Sequence, residues 1–169
     1  MTLTITRQQT YTVADVSRAF ESFRSNLRLF ANTSGVDVEL VDDRADDVLA
    51  YARAKYLTSV HVHLCDAAGE LLRAAKFTVS EDASGWKGDM PGDNFWPYTP
   101  GGSMRIILTC GDAWQKLAQP AKEQFRESLT LSWGSSDQDL SYTDMVPEGS
   151  RRYASNAYGL QQTSYRRKS

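Results

Sequence analysis

Apolar and polar residues alternate most plainly between Leu57 and Ser80, and the rest of the pattern is organised around that stretch. Val60, Val62 and Leu64 alternate with His61, His63 and Cys65, the period of two expected of a strand with one face buried. Leu72, Ala75, Phe77 and Val79 supply a second apolar row after the Gly-containing link Asp66–Glu70. Two such runs across a short link predict an antiparallel hairpin. A lone hairpin is marginal in water, so other elements must cover its apolar face and extend its edges.

Two helices are predicted ahead of it. Thr12 followed by Asp15 resembles a capping box, with Asp in place of the usual Glu or Gln. Val13, Val16, Phe20, Phe23, Leu27 and Phe30 then recur at helical spacing as a single apolar stripe, which Asn32 to Gly35 ends. The second helix is predicted from about Arg44 to Tyr56, after Asp42 and Asp43, since the amide-rich start of a helix favours acids. Ala45, Val48, Leu49, Ala52 and Tyr56 form its buried side. Residues 2–11 are Thr-rich and alternate weakly, as a short edge strand or a loose leader would.

Beyond the hairpin the pattern breaks. Ser80 to Gly102 holds five glycines, three prolines and four acids, yet also Trp86, Phe95, Trp96 and Tyr98. So many aromatics predict a loop that folds back and plugs one end of the core. Ser103–Cys110 is the most strand-like run and is predicted as a central strand. Asp112 to about Ser128 is helical in pattern, with Trp114, Leu117, Ala121 and Phe125 on one side and Pro120 breaking or kinking it. Leu129–Trp133 alternates again and stops at Gly134. From Ser135 the chain is rich in Ser, Gly and Tyr, with Tyr142, Met145, Val146, Tyr153, Tyr158, Leu160 and Tyr165 at intervals. That composition is too aromatic for a free tail and too polar for a core, and predicts a segment lying across a surface and anchored at points.

Composition narrows the class. At 169 residues the chain reads as one α+β domain, and its 41% hydrophobic and 24% charged content is that of an ordinary soluble protein. No apolar run reaches the length of a membrane span or follows a basic start, so a cytoplasmic protein is expected. Cys65 and Cys110 fall on strands and read as buried thiols, a regulated bridge requiring those strands to be neighbours. After Glu148 there are no acids, and Arg151, Arg152, Arg166, Arg167 and Lys168 give +5; against a total of −2, residues 1–148 carry −7. A basic tail can suit nucleic acid, but on an acidic body the favoured reading is a tail attracted to its own body.

The residues spell no reaction. Gly101-Gly102 lacks the lysine and context of a phosphate-binding loop. His61, His63 and Cys65 share one strand face, which permits a metal but more simply makes a polar face under a helix. Asp82, Asp89 and Asp93 do not have the spacing of an EF-hand. No base accompanies a candidate nucleophile. The reading is a protein that is not an enzyme, with no metal and no cofactor.

The order of the pieces resembles a bacterial HORMA domain. The Tyr11-Thr12-Val13 helix start, the acidic second helix, the hairpin 57–80 and Asn94-Phe95-Trp96 are similar to that family. So is the ending: Trp133-Gly134, Tyr142-Thr143-Asp144-Met145, Tyr158-Gly159 and Tyr165-Arg166-Arg167. The resemblance implies a HORMA-like sheet packed against helices, with residues 1–11 as leader, 12–134 as core and 135–169 as a C-terminal safety belt. It implies a switch of the cyclic-oligonucleotide (CBASS) anti-phage systems, which binds a closure peptide, activates a CD-NTase second-messenger synthase and is remodelled by an AAA+ ATPase. By the same resemblance Trp133, Tyr142, Met145, Tyr153, Tyr158, Leu160 and Tyr165 serve the belt and its peptide, and Leu3, Ile5 and Arg7 the remodeller. An exposed sheet edge suits an added strand, and a loosely held terminus suits an unfoldase. Two other readings stand beside it: an inert domain whose tail tyrosines dock permanently, and a small nucleic-acid-binding protein that uses its basic, Tyr-rich terminus.

Overall fold

The apolar stripe of the first helix lies on the hairpin. The structure is a computed structural model describing residues 11–84, 86, 96–129 and 140–168. Its elements are α1 (Val13–Ser34), α2 (Val38–Arg53), β1 (Leu57–Cys65), β2 (Leu71–Ser80), β3 (Ser103–Cys110), α3 (Asp112–Gln115), α4 (Gln119–Glu127), β4 (Met145–Ser155) and β5 (Tyr158–Arg167).

The predicted capping box starts α1: Thr12 N–H donates to Asp15 Oδ2 at 2.9 Å, and Asp15 N–H to Thr12 Oγ1 at 3.3 Å. Gly35 ends it in a left-handed conformation (φ 87°) that a side chain would strain, its N–H bonded to Ala31 O at 2.9 Å. Val16, Phe20, Phe23, Leu27 and Phe30 are buried, whereas Val13 is 59% exposed and leaves the stripe. Phe23 meets Phe77 of β2 edge-on, with ring centroids 4.8 Å apart. The second helix begins at Val38, six residues before the expected Arg44. Asp37 precedes it and is as good a start signal as Asp42 or Asp43; Asp42 instead reaches α1, where it receives Arg28 Nε at 2.9 Å.

The sheet has five strands in the order β3-β1-β2-β5-β4, every neighbouring pair antiparallel. Val60 and Val62 of β1, Ala75 and Phe77 of β2, Ile106 and Leu108 of β3 and Leu160 of β5 are all buried and share the helix-facing side by register. Two expectations are corrected here. Among the described strands Ser103–Cys110 stands at an edge of the sheet, not in its centre. The C-terminal segment does not simply lie across a surface: from Met145 it forms two strands that extend the sheet beyond β2. Its inward row on β5 runs Tyr158, Leu160, Gln162, Ser164, all buried, and the two polar members hide the strand period from an apolar reading.

The ends of the core are closed by aromatics. Trp96, from the Gly- and Pro-rich loop, stacks on Phe30 with centroids 4.1 Å apart and planes 12° from parallel. Past β3 the chain turns into α3 and α4 rather than one kinked helix, with Pro120 in the first turn of α4. Trp114 and Phe125 cluster there with Tyr51 and Tyr56. The predicted strand Leu129–Trp133 falls outside the described residues after Leu129. Cys65 and Cys110 are free and buried at opposite ends of β1, Cys65 facing Ser103 and Cys110 facing Leu57, which rules out a bridge in this fold. Among the described residues no helix is long and apolar enough to cross a membrane.

Candidate functional site at the β3 edge and the C-terminal segment

β3 pairs with β1 along its whole inner edge, from Leu57↔Cys110 to Cys65↔Ser103, and no described strand pairs with its outer edge. Its two faces are nevertheless those of an interior strand. Ile106 and Leu108 are buried on the helix side, and on the other side Thr109 is buried and Ile107 half-buried. A strand apolar enough to be central and left at an edge is a ready acceptor for another strand's backbone bonds. Arg105 lies exposed on the same strand, paired in register with His63.

The sheet face opposite the helices carries the histidines. The sequence suggested that a helix covers this face; a tyrosine from the C-terminal segment covers it instead. The Tyr142 hydroxyl lies 2.6 Å from His61 Nδ1 and 2.7 Å from His63 Nε2. A phenol has one proton to give and lone pairs to accept with, so it donates to one ring and accepts N–H from the other. His61 Nε2 is in turn 3.2 Å from Ser59 Oγ. The Tyr142 ring stacks on Tyr165 of β5, with centroids 4.7 Å apart and planes 26° from parallel. Ala74 of β2 pairs with both His63 and Tyr165, and its small side chain leaves room for Tyr142 to span from β5 to β1. Burial first, then the charges of His61 and Arg105, push the His63 pKa down to about 4, so His63 pairs with the hydroxyl as a neutral ring near pH 7. Among the described residues no group of His, Cys, Asp and Glu is placed to hold a metal.

The other expected belt residues divide between the two faces. Tyr153, Tyr158 and Leu160 are buried on the helix side, Tyr142 and Tyr165 stack on the opposite side, and Met145 opens β4 half-buried. Trp133, Leu3, Ile5 and Arg7 lie outside the described residues. A buried polar chain that the sequence does not signal ties the hairpin to α1. Asn26 Nδ2 donates to Tyr153 Oη at 2.9 Å, Tyr153 Oη to Gln162 Oε1 at 2.9 Å, and Gln162 Nε2 to Ser164 Oγ at 3.1 Å. Gly159 sits where a Cβ would come within 2.7 Å of Ala83 Cβ and 3.0 Å of Tyr153 O, which gives the Tyr158-Gly159 pair a packing reason.

The basic terminus is turned on its own body. Arg166 and Arg73 both face Glu148 at 3.7 Å, Arg167 meets Glu70 at 3.0 Å and Asp66 at 3.7 Å, and Arg152 lies over Trp86 at 5.2 Å. Tyr165, needed for base stacking in a nucleic-acid reading, is already stacked on Tyr142.

Known proteins share both the sequence and this architecture. Bacterial HORMA domain family 1 matches residues 1–166. Two curated relatives from Escherichia coli, one of them from strain KTE188, are each named CD-NTase-associated protein 7. Each is 29% identical over 98% of this chain and 99% of its own. Among solved structures, a chain of the E. coli MS115-1 CdnC:HORMA-deltaN complex aligns with TM-score 0.75 at 15% identity, over 98% of this chain and 94% of that one. A chain of the E. coli MS115-1 HORMA:CdnC:Trip13 complex aligns with TM-score 0.72 at 16% identity, over 100% and 98%. A chain of the mitotic checkpoint complex aligns with TM-score 0.58 at 11% identity, over 90% and 98%. With the α+β sheet order, the helix layer and the family match in agreement, the chain belongs to bacterial HORMA domain family 1.

Proposed function

We propose that the chain is a peptide-binding switch rather than an enzyme. An extended guest peptide adds to the outer edge of β3, and the C-terminal segment closes over the sheet beside it. In that closed form the protein associates with and activates a CD-NTase second-messenger synthase in anti-phage defence. An AAA+ ATPase of the Trip13 kind reopens it by engaging the N-terminal leader, where Leu3, Ile5 and Arg7 stand. The carrying observation is β3 itself, which among the described strands has no partner on its outer edge and yet has the composition of an interior strand. The names of the curated relatives and the titles of the two E. coli complexes support the choice of partners. The route of the chain supports the closing step, because Tyr142 crosses from β5 to β1 on the face that helices leave open.

Physically, a guest strand gains backbone hydrogen bonds from β3 and loses them only when the covering segment moves, which slows its release. The test is amide exchange on the chain with a tiled set of peptides from its partner CD-NTase. One peptide should slow exchange in residues 103–110 and 140–167 while the buried stripe of α1 stays as it was. Unchanged exchange at 140–167 with a saturating, demonstrably bound peptide overturns the closing step.

A further inference from the structure

The capping box of α1 departs from the common pattern by using Asp15 where Glu or Gln is usual, and the structure shows a second task for that residue. Asp15 is fully buried. Its Oδ2 does the ordinary capping work, accepting Thr12 N–H at 2.9 Å and Thr12 Oγ1 at 3.2 Å. Its Oδ1 serves a different element. It accepts Ser155 Oγ at 2.8 Å and Asn156 Nδ2 at 2.9 Å, both from the β4–β5 turn, and Arg18 Nη2 at 2.5 Å. Arg18 also reaches the turn, its Nε donating to Ser155 Oγ at 3.1 Å. Asn156 holds a left-handed backbone (φ 53°), a conformation Asn tolerates better than other side chains, and there its carboxamide meets the carboxylate.

Tyr11 strengthens the same junction. Its ring lies 5.0 Å from that of Tyr158 at the start of β5, and its hydroxyl donates to Glu81 Oε1 at 2.5 Å. The first described residues of the chain therefore grip the closing hairpin through Tyr11 and Asp15.

We propose that Asp15 is the positioning residue that couples the N-terminal end of α1 to the β4–β5 turn, so that displacing the N-terminus releases the closing hairpin. One carboxylate oxygen reads whether the helix start is intact, and the other holds the turn. Unwinding the first turn carries the Thr12–Asp15 pair away and leaves Ser155 and Asn156 without their shared acceptor. Coupling of this kind is reciprocal, since what loosens the turn must also loosen the helix start. The inference rests on the reading of residues 140–167 as the closing segment, and it adds the route by which force at the leader arrives there.

The experiment is amide exchange on the whole chain with no peptide and no ATPase present. Asp15→Asn keeps the shape of the side chain but loses the charge and presents an NH2 group to donors. It should speed exchange across β4 and β5 by about tenfold or more, as expected for losing charge-assisted bonds, and leave β1 and β3 as they were. Ser155→Ala with Asn156→Gly approaches from the other side, because glycine accepts the left-handed backbone and the Thr12–Asp15 box stays whole. It should speed exchange at residues 15–19 severalfold. Acceleration confined to the mutated element in either variant, or equal acceleration throughout the chain, overturns the coupling. A chain that takes no peptide would still show these exchange effects. A chain that takes one without them would lose only this inference.

Discussion

Replacing Tyr142 with Phe removes one oxygen and keeps the ring on Tyr165, so it isolates the bonds between the closing segment and the sheet. In the native protein that oxygen pairs with His61 Nδ1 at 2.6 Å and His63 Nε2 at 2.7 Å. Phe leaves both ring nitrogens without this partner under a covering side chain. Losing a net hydrogen bond costs about 0.5–1.5 kcal/mol, and a buried group left unpaired costs about 1–3 kcal/mol. His61 is fully buried and His63 partly so, so the unpaired-group penalty governs and local opening becomes easier by about 2–3 kcal/mol, the upper part of that range. That corresponds to roughly 30- to 150-fold faster exchange of amides between 140 and 150. Tyr142→Ala would add the lost stacking, about 0.5–1.5 kcal/mol. Native-state exchange read by mass spectrometry gives the number directly. A Phe variant whose exchange in this segment stays within about threefold of wild type, under 0.7 kcal/mol, would show that the histidines do not hold the segment down.

The same contact makes the attachment of residues 140–150 pH-dependent. The folded pKa of His63, near 4, lies below the ordinary value of 6.5, so its contribution is complete above about pH 6.5 and is lost as the pH falls from there toward 4. The protection of amides 140–150, relative to their intrinsic exchange at each pH, should fall over that window, and His63→Gln should flatten the slope. Phe23→Ala, under the edge-on contact with Phe77, should cost about 3–5 kcal/mol of global stability by urea titration; a loss below about 1 kcal/mol would mean that the α1–β2 contact contributes little. Gly159→Ala must push aside Ala83 Cβ and the Tyr153 carbonyl and should cost about 1–3 kcal/mol, measurable as a lower urea midpoint; an unchanged midpoint would refute the tight packing assigned to the Tyr-Gly pair.

The elements carried by apolar period were legible in the sequence, and those carried by polar burial were not. The α1 stripe, the β1–β2 hairpin with its Asp66–Glu70 turn and the break near Pro120 follow from spacing and local chemistry, which tertiary contacts then only confirm. β5 was missed because Gln162 and Ser164 occupy buried positions, so its inward row does not look apolar. The position of β3 at an edge was missed for the opposite reason, since Ile106, Ile107 and Leu108 look like an interior strand. His61 and His63 were visible as a polar row on one strand face, and Tyr142 as an anchor. Their meeting requires knowing that the C-terminal hairpin joins the sheet beyond β2 and brings Tyr142 back over it, and periodicity does not encode that.

The way each part is held down bears on which part can move. α1, β1, β2 and β3 meet through Phe23, Leu27, Phe30, Val60, Val62, Phe77 and Leu108, all but completely buried, and separating them exposes that surface to water. The closing hairpin keeps apolar anchors in Leu160 and Tyr158, but its specific attachments are polar: Asp15 to Ser155 and Asn156, Asn26 to Tyr153 and on to Gln162 and Ser164, Tyr142 to the histidines. Groups of that kind regain hydrogen bonds from water when they part, so their net worth is modest although their geometry is exacting. Removing a single partner while the rest stay buried is costly; when the hairpin leaves as a unit its polar members are solvated together, and what remains to be lost is the β2–β5 ladder and the apolar anchors. A segment attached in this way would open as a unit and re-enter in one register, the two properties that the proposed switch requires of it.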